Sequence, residues 1–265
     1  MNRTRPRLRS AGRLAATIAV LALVFGLAPG SVSASATVSA SATASASAAG
    51  TATSFGSASI GSTATASSWT GGVDLYRKGV FTTQKTLLWC TAADVQISRN
   101  IVRHKTDHTR ANQSRYFNWM RTRDRYYIPV SEGVDPAGWA AGMRHFVDSR
   151  YRLLVSPSFQ SLLRSAVTSL RRTNRPVGLF VASGNHAWLL TGFTATADPV
   201  ATSAFTITSV RVVGPLYGIQ SRNGYDMPPD EKLTPTRLKH FVTPWHYTKV
   251  HMIWEGEFIS IQPIG

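Results

Sequence analysis

Residues 158–194 read SFQSLLRSAVTSLRRTNRPVGLFVASGNHAWLLTGFT, and the change of period inside this stretch decides the fold class. From Ser158 to Asn174, Phe159, Leu162, Leu163, Ala166, Val167 and Leu170 fall on one side of a helix, with Arg164, Arg171 and Arg172 elsewhere. Arg175-Pro176 ends that pattern, because proline lacks the N–H that a helix interior needs. Beyond it, Val177 to Ala182, Ala187 to Thr194, Phe205 to Val213 and Val250 to Ile261 are rich in β-branched and aromatic residues and bounded by Gly, Pro or Asn. Such runs predict strands.

Working outward toward the N-terminus, the pattern stays helical. Between Gln84 and Arg103, Ala93, Ile97 and Ile101 recur four apart, so Cys90 falls at or just before the start of a helix. Ser114 to Arg123 and Pro136 to Val147 also read as helices, the second with Asp135 as its cap and Pro136 in its first turn. Helices first and strands later predict a segregated α+β domain: a helical N-terminal half packed on a mainly antiparallel C-terminal sheet.

The first quarter of the chain has a different composition. Residues 1–13 carry five arginines and no acid, and an uncharged apolar run from Leu14 to Ala28 follows. That run is about 15 residues, short of the roughly 20 a spanning helix needs. Overlapping Ala-x-Ala sites come next, so residues 1–36 read as a secretory signal peptide and the protein as secreted. Residues 37–68 are nearly all Ser, Ala, Thr and Gly, too poor in large apolar side chains to offset chain entropy, and read as a disordered spacer. Residues 69–265 hold all seven tryptophans and every acid, enough for one domain with a core.

The full chain carries 29 Lys and Arg against 13 Asp and Glu; without the five N-terminal arginines the balance is 24 to 13, a net +11. The arginines are scattered, which fits a solvated basic surface, with an anionic cell-wall polymer as a second candidate partner. No later run is long enough to span a bilayer. The expectation is therefore a peptide or protein substrate, no nucleic acid, no stable membrane anchor, no cofactor, and a monomer.

Cys90 is the only cysteine, so no internal disulfide can form. The residue is an intermolecular partner, an inert buried thiol or a reactive one. A helix N-terminus favours the thiolate, through unpaired N–H groups and the helix dipole. Gln84 lies six residues upstream, and His186 opens a strand in Ser183-Gly184-Asn185-His186-Ala187-Trp188.

This order, Gln84, then Cys90-Thr91-Ala92-Ala93 on a helix, then a late Gly-Asn-His-Ala entering a strand, resembles the papain-like cysteine peptidases. Within them it is most similar to the bacteriocin-processing, double-glycine-leader peptidases and their extracellular relatives, cysteine peptidase family thirty-nine. The resemblance implies Cys90 as nucleophile, His186 as base and then acid, and Gln84 with the Cys90 backbone N–H as oxyanion donors. It implies a secreted peptidase, or an acyl-transfer relative, working through a thioester.

The family also orients its histidine with an Asp or Asn, often before Pro. Asp198-Pro199 is the only Asp-Pro after His186, but at about 3.3 Å per residue it falls near the far tip of a hairpin, about 30 Å away. The returning strand brings Gly214-Pro215 beside His186, so glycine stands where the family has an acid. Asn223 and Asp226 are candidate replacements, each also explicable as a turn residue. The alternative reading is an inactive peptidase-like module that binds peptides or anionic wall polymers; a wall amidase is a third, without that group's Asp-x-Ser-Gly near Cys90. His104 and His108, four apart, are a weak metal pair with no third ligand, and Trp89, Trp139, Trp188 and Trp254 read as core or cleft wall.

Overall fold

The computed structural model describes residues 68–126, 128–219, 226–246 and 253–265. Residues 1–67, read above as a signal peptide and spacer, and Asn223 lie outside them. Within them the elements run β1 (Gly72–Asp74), α1 (Cys90–Val102), α2 (Arg110–Arg121), α3 (Pro136–Phe146), β2 (Tyr151–Ser156) and α4 (Phe159–Thr173). They continue with β3 (Val177–Val181), β4 (His186–Ala195), β5 (Ile207–Val213), β6 (Glu231–Leu233), α5 (Pro235–Lys239) and β7 (Phe258–Pro263). The fold class is α+β.

Local chemistry sets the boundaries. Ser158 caps α4 by accepting from Ser161 N while the Ser161 hydroxyl returns toward Ser158, a reciprocal capping box. At the other end Asn174 takes the left-handed conformation, φ 51° and ψ 45°, and Pro176 follows, so the helix cannot continue. Asp135 caps α3 through Gly138 N at 2.6 Å and also accepts from Arg125 N and Tyr126 N. The predicted start of the second helix, Ser114, is corrected to Arg110, because Thr109 is the cap, its side chain accepting from Asn112 N.

The seven strands pair antiparallel in the order β2-β7-β3-β4-β5-β6, with β1 beside the C-terminal part of β4. Strands β1 and β6 and helix α5 are too short to be read from sequence, and β2 shows no alternating burial that would mark it as a strand. Side chains alternate along β4: Ala187 and Leu189 face one core with α1, α2 and α3, whereas Trp188 and Leu190 face another with α4. The sheet therefore has helices on both faces, and α4, counted with the helical half, covers the side opposite α1.

Helix α1 is buried nearly all round. Ala93, Ile97 and Ile101 are buried as their spacing predicts, but so are Asp94, Gln96, Ser98 and Asn100. Gln96 accepts from Gln113 Nε2 at 2.8 Å and donates to Thr109 O, and Asn100 donates to Val80 O and Asp107 O. These amides tie the helix to the loops around it.

Glycine at 178 is required by a close approach, since a Cβ there would lie 2.6 Å from the Trp139 ring. Trp139 on α3 is fully buried, so the ring has no room to give. Gly178→Ala should therefore destabilise the fold by about 1–3 kcal/mol, read as a lower urea midpoint with an unchanged denaturant slope.

Candidate active site

Cys90 is the first residue of α1, and the preceding Trp89 supplies no side-chain cap. The first N–H groups of the helix thus stay without intrahelical partners at the sulfur end. Positive dipole and free donors both favour a negative group there.

His186 is the first residue of β4, and its side chain is 12 % exposed. Nε2 lies 3.0 Å from Oδ2 and 3.2 Å from Oδ1 of Asp226. With Nε2 committed to the carboxylate, Nδ1 is the ring nitrogen left to face Cys90, which lines the same cavity. Burial alone would lower the imidazole pKa. The Asp226 hydrogen bond, then the nearby Cys90, outweigh that and hold it up at about 9. The imidazolium thus persists through the neutral range.

Of the two candidate acids, Asp226 is the described one, and it reaches His186. Its side chain is 1 % exposed, and besides His186 it accepts from Trp188 Nε1 at 2.6 Å and from Leu216 N at 2.6 Å. His186 and Trp188 are two apart on one strand, so both reach toward the same side. The glycine at 214 now has a physical reason: a Cβ there would sit 2.3 Å from Asp226 Cγ and 2.5 Å from Oδ2. The carboxylate occupies the space a side chain at 214 would need.

Of the residues singled out in the sequence, Cys90 and His186 come together. Gln84 is buried, and its Nε2 donates to Thr86 O at 2.8 Å while Oε1 has no partner. Its backbone N–H donates to Pro215 O at 2.8 Å, which joins it to the turn that holds Asp226. Asp198 pairs with Arg171 at 2.8 Å, away from the site as its position in the hairpin requires. His104 has a φ of 50° beyond the end of α1, and His108 Nε2 bonds Gly79 O, so the two share no helix face. Among the described residues no group of three His, Cys, Asp or Glu side chains could hold a metal. Trp139, Trp188 and Trp254 are buried.

The cavity beside Cys90 and His186 is about 30 Å³ and is lined by Ile128, Val134, Phe180 and Trp245, with Glu132 among its polar residues. That is close to the volume of one water molecule. A separate cavity of about 750 Å³ lies between the start of α4, β5 and α5 and includes none of the Cys90 group. Comparison with family models, with curated proteins and with solved structures found no match.

One acid escaped the sequence reading. Asp94, one turn along α1 from Cys90, is fully buried, and neither carboxyl oxygen has a hydrogen-bond partner. Burial first, then the nearby Cys90 and Asp226, pushes its pKa well above the usual carboxylate range. Asp226 and Asp94 divide their roles by donors: Asp226 has three and Asp94 has none. Because Asp94 takes up a proton on folding, it lowers stability progressively as pH rises from about 3.9, its unfolded value, toward its raised folded value. Asp94→Asn removes that dependence. Its melting temperature relative to the wild type should climb between pH 4 and pH 7, and a constant difference would show that Asp94 is ionised in the folded state.

Proposed function

We propose that this chain is a secreted papain-like cysteine peptidase, similar to the double-glycine-leader group, that cleaves a peptide or isopeptide bond through Cys90. The observation that carries the reading is the His186 ring held between Cys90 and the buried Asp226 carboxylate. A sulfur, an imidazole and an orienting acid in that order form the arrangement thiol acyl transfer needs.

The residues divide the reaction as follows. Cys90 Sγ, as thiolate, attacks the carbonyl carbon, and charge moves to the carbonyl oxygen. The Cys90 backbone N–H is the donor for that oxyanion, joined by the Gln84 amide through the hydrogen that Thr86 O does not use. The imidazolium of His186 gives its proton to the leaving amine as the C–N bond breaks, which leaves a thioester on Cys90. Neutral His186 then takes a proton from water, whose oxygen attacks the thioester carbon. Collapse releases the acid and restores the thiolate–imidazolium pair. Throughout, Asp226 fixes the ring angle and keeps the Nε2 hydrogen on its own side.

The competing reading, a non-catalytic module, rests on the glycine at 214. Asp226, which reaches His186 from the loop after β5, supports the catalytic reading over it. The basic surface leaves an anionic wall polymer as a candidate anchor outside the cleft.

Turnover of a peptide library should disappear in Cys90→Ala; turnover that survives it would end the reading. Iodoacetamide should label Cys90 more slowly in His186→Ala than in the wild type. Asp226→Gly should lower kcat/KM by up to about 10⁴-fold, the scale of losing a histidine's orientation. In that background Gly214→Asp should recover much of the loss, since it returns a carboxylate to the vacated space.

A further inference from the structure

The turn between β3 and β4 has an unusual backbone. Ala182, Ser183 and Gly184 have φ of 50°, 56° and 93°, three left-handed residues in succession immediately before Asn185 and His186. Only glycine adopts this region freely; alanine and serine do so at a cost, through the contact of Cβ with the following carbonyl. Such strain persists where surrounding structure enforces it.

The enforcing structure is the segment Phe241–His246. Ala182 N donates to Phe241 O at 2.9 Å, and Ser183 N donates to Thr243 Oγ1 at 2.8 Å. The two hydroxyls, Ser183 Oγ and Thr243 Oγ1, lie 3.1 Å apart, and His246 N donates to Ser183 O at 3.1 Å. Trp245 packs so close to Gly184 that a Cβ at 184 would lie 2.7 Å from its ring. The segment is itself anchored, by buried Leu238 and Val242 and by Trp245 N donating to Glu257 O at 2.7 Å. Gly184, Asn185 and Trp245 all line the cavity beside Cys90.

We propose that Thr243 is a positioning residue for His186: its hydroxyl clamps the left-handed turn at Ser183 and thereby fixes where β4 begins and how the ring meets Cys90. The proposal rests on the peptidase reading for its turnover arm alone. Thr243 acts through the backbone of residues 182–185, since its hydroxyl bonds Ser183 and neither the sulfur nor the ring. Titratable groups facing the ring are Cys90 from α1 and Asp226 from the loop after β5, with Asp94 one turn below Cys90 and both Glu132 and Asp135 lining the same cavity.

The test compares Thr243→Ala, Thr243→Ser and the pair Thr243→Ala with Ser183→Gly in the full chain. Peptide-library turnover and the His186 ring titration by NMR are the readouts. Thr243→Ala should lower kcat on the order of ten- to a hundredfold with KM little changed, and should bring the ring titration down from about 9 toward 6.5. Thr243→Ser, which keeps the hydroxyl, should retain most of the activity. Ser183→Gly in the alanine background should recover it, because glycine holds the turn without a clamp. A folded Thr243→Ala protein with wild-type kcat and ring titration overturns the proposal, as does a serine variant as impaired as the alanine one. If thermal melting shows that Thr243→Ala does not fold, the glycine pair decides: a folded pair with an unshifted ring supports the clamp, and a shifted ring overturns it. If the wild type turns over no peptide, the peptidase reading fails, while the ring titration still judges the clamp.

Discussion

A carboxylate can sit dry at the edge of an apolar sheet only if donors surround it, and the Asp226 carboxylate meets that condition with an imidazole, an indole and a backbone N–H. Much of the surrounding structure follows. The residue at 214 can have no side chain, the turn through Pro215 and Leu216 must present an N–H inward, and the indole of Trp188 must lie with its nitrogen toward the acid. Pro215 in turn receives Gln84 N, so the segment leading into α1 is tied to the same turn. One buried carboxylate thereby links the approach to Cys90, the β5 exit and the β4 entry.

The second buried acid shows the same physics with the opposite outcome. Asp94 is as deeply enclosed as Asp226 but has no donor, so its environment favours the neutral form. A single negative charge therefore lies behind the imidazole, not two repelling ones. Proteins keep unsatisfied polar groups chiefly where function needs them, and Asp94, Thr91 and Ser98 share that condition along the α1 face that begins at Cys90.

Much of this architecture was legible in the chain. The α4 stripe, the stop at Arg175-Pro176 and the β-branched runs after it predicted the α+β class, and Ala93, Ile97 and Ile101 found the α1 core. Strands as short as Gly72–Asp74 and Glu231–Leu233 left no period to read; pairing with β4 and β5 makes them strands. At the site, Cys90 and His186 were readable because a lone cysteine at a helix start and a histidine at a strand start stand out by residue type and by element. Asp226 was one of two candidates, indistinguishable from a turn residue, because burial by distant donors leaves no local mark. Gly214 read as a missing acid when it is the space for one. Asp94 was invisible, since a polar residue in an amphipathic helix ordinarily faces water.

The polar strip inside α1 has a consequence for precision. A helix buried by apolar contacts alone can slide along its axis at modest cost, because one methyl-lined groove resembles the next. Gln96 and Asn100 prevent this: a shift of one turn, about 5.4 Å, would strip both amides of partners contributed by Gln113, Thr109, Val80 and Asp107. The amides index the helix as teeth index a rack. The height of the Cys90 sulfur above the sheet is thus set by side chains deeper in the helix, which never meet a substrate.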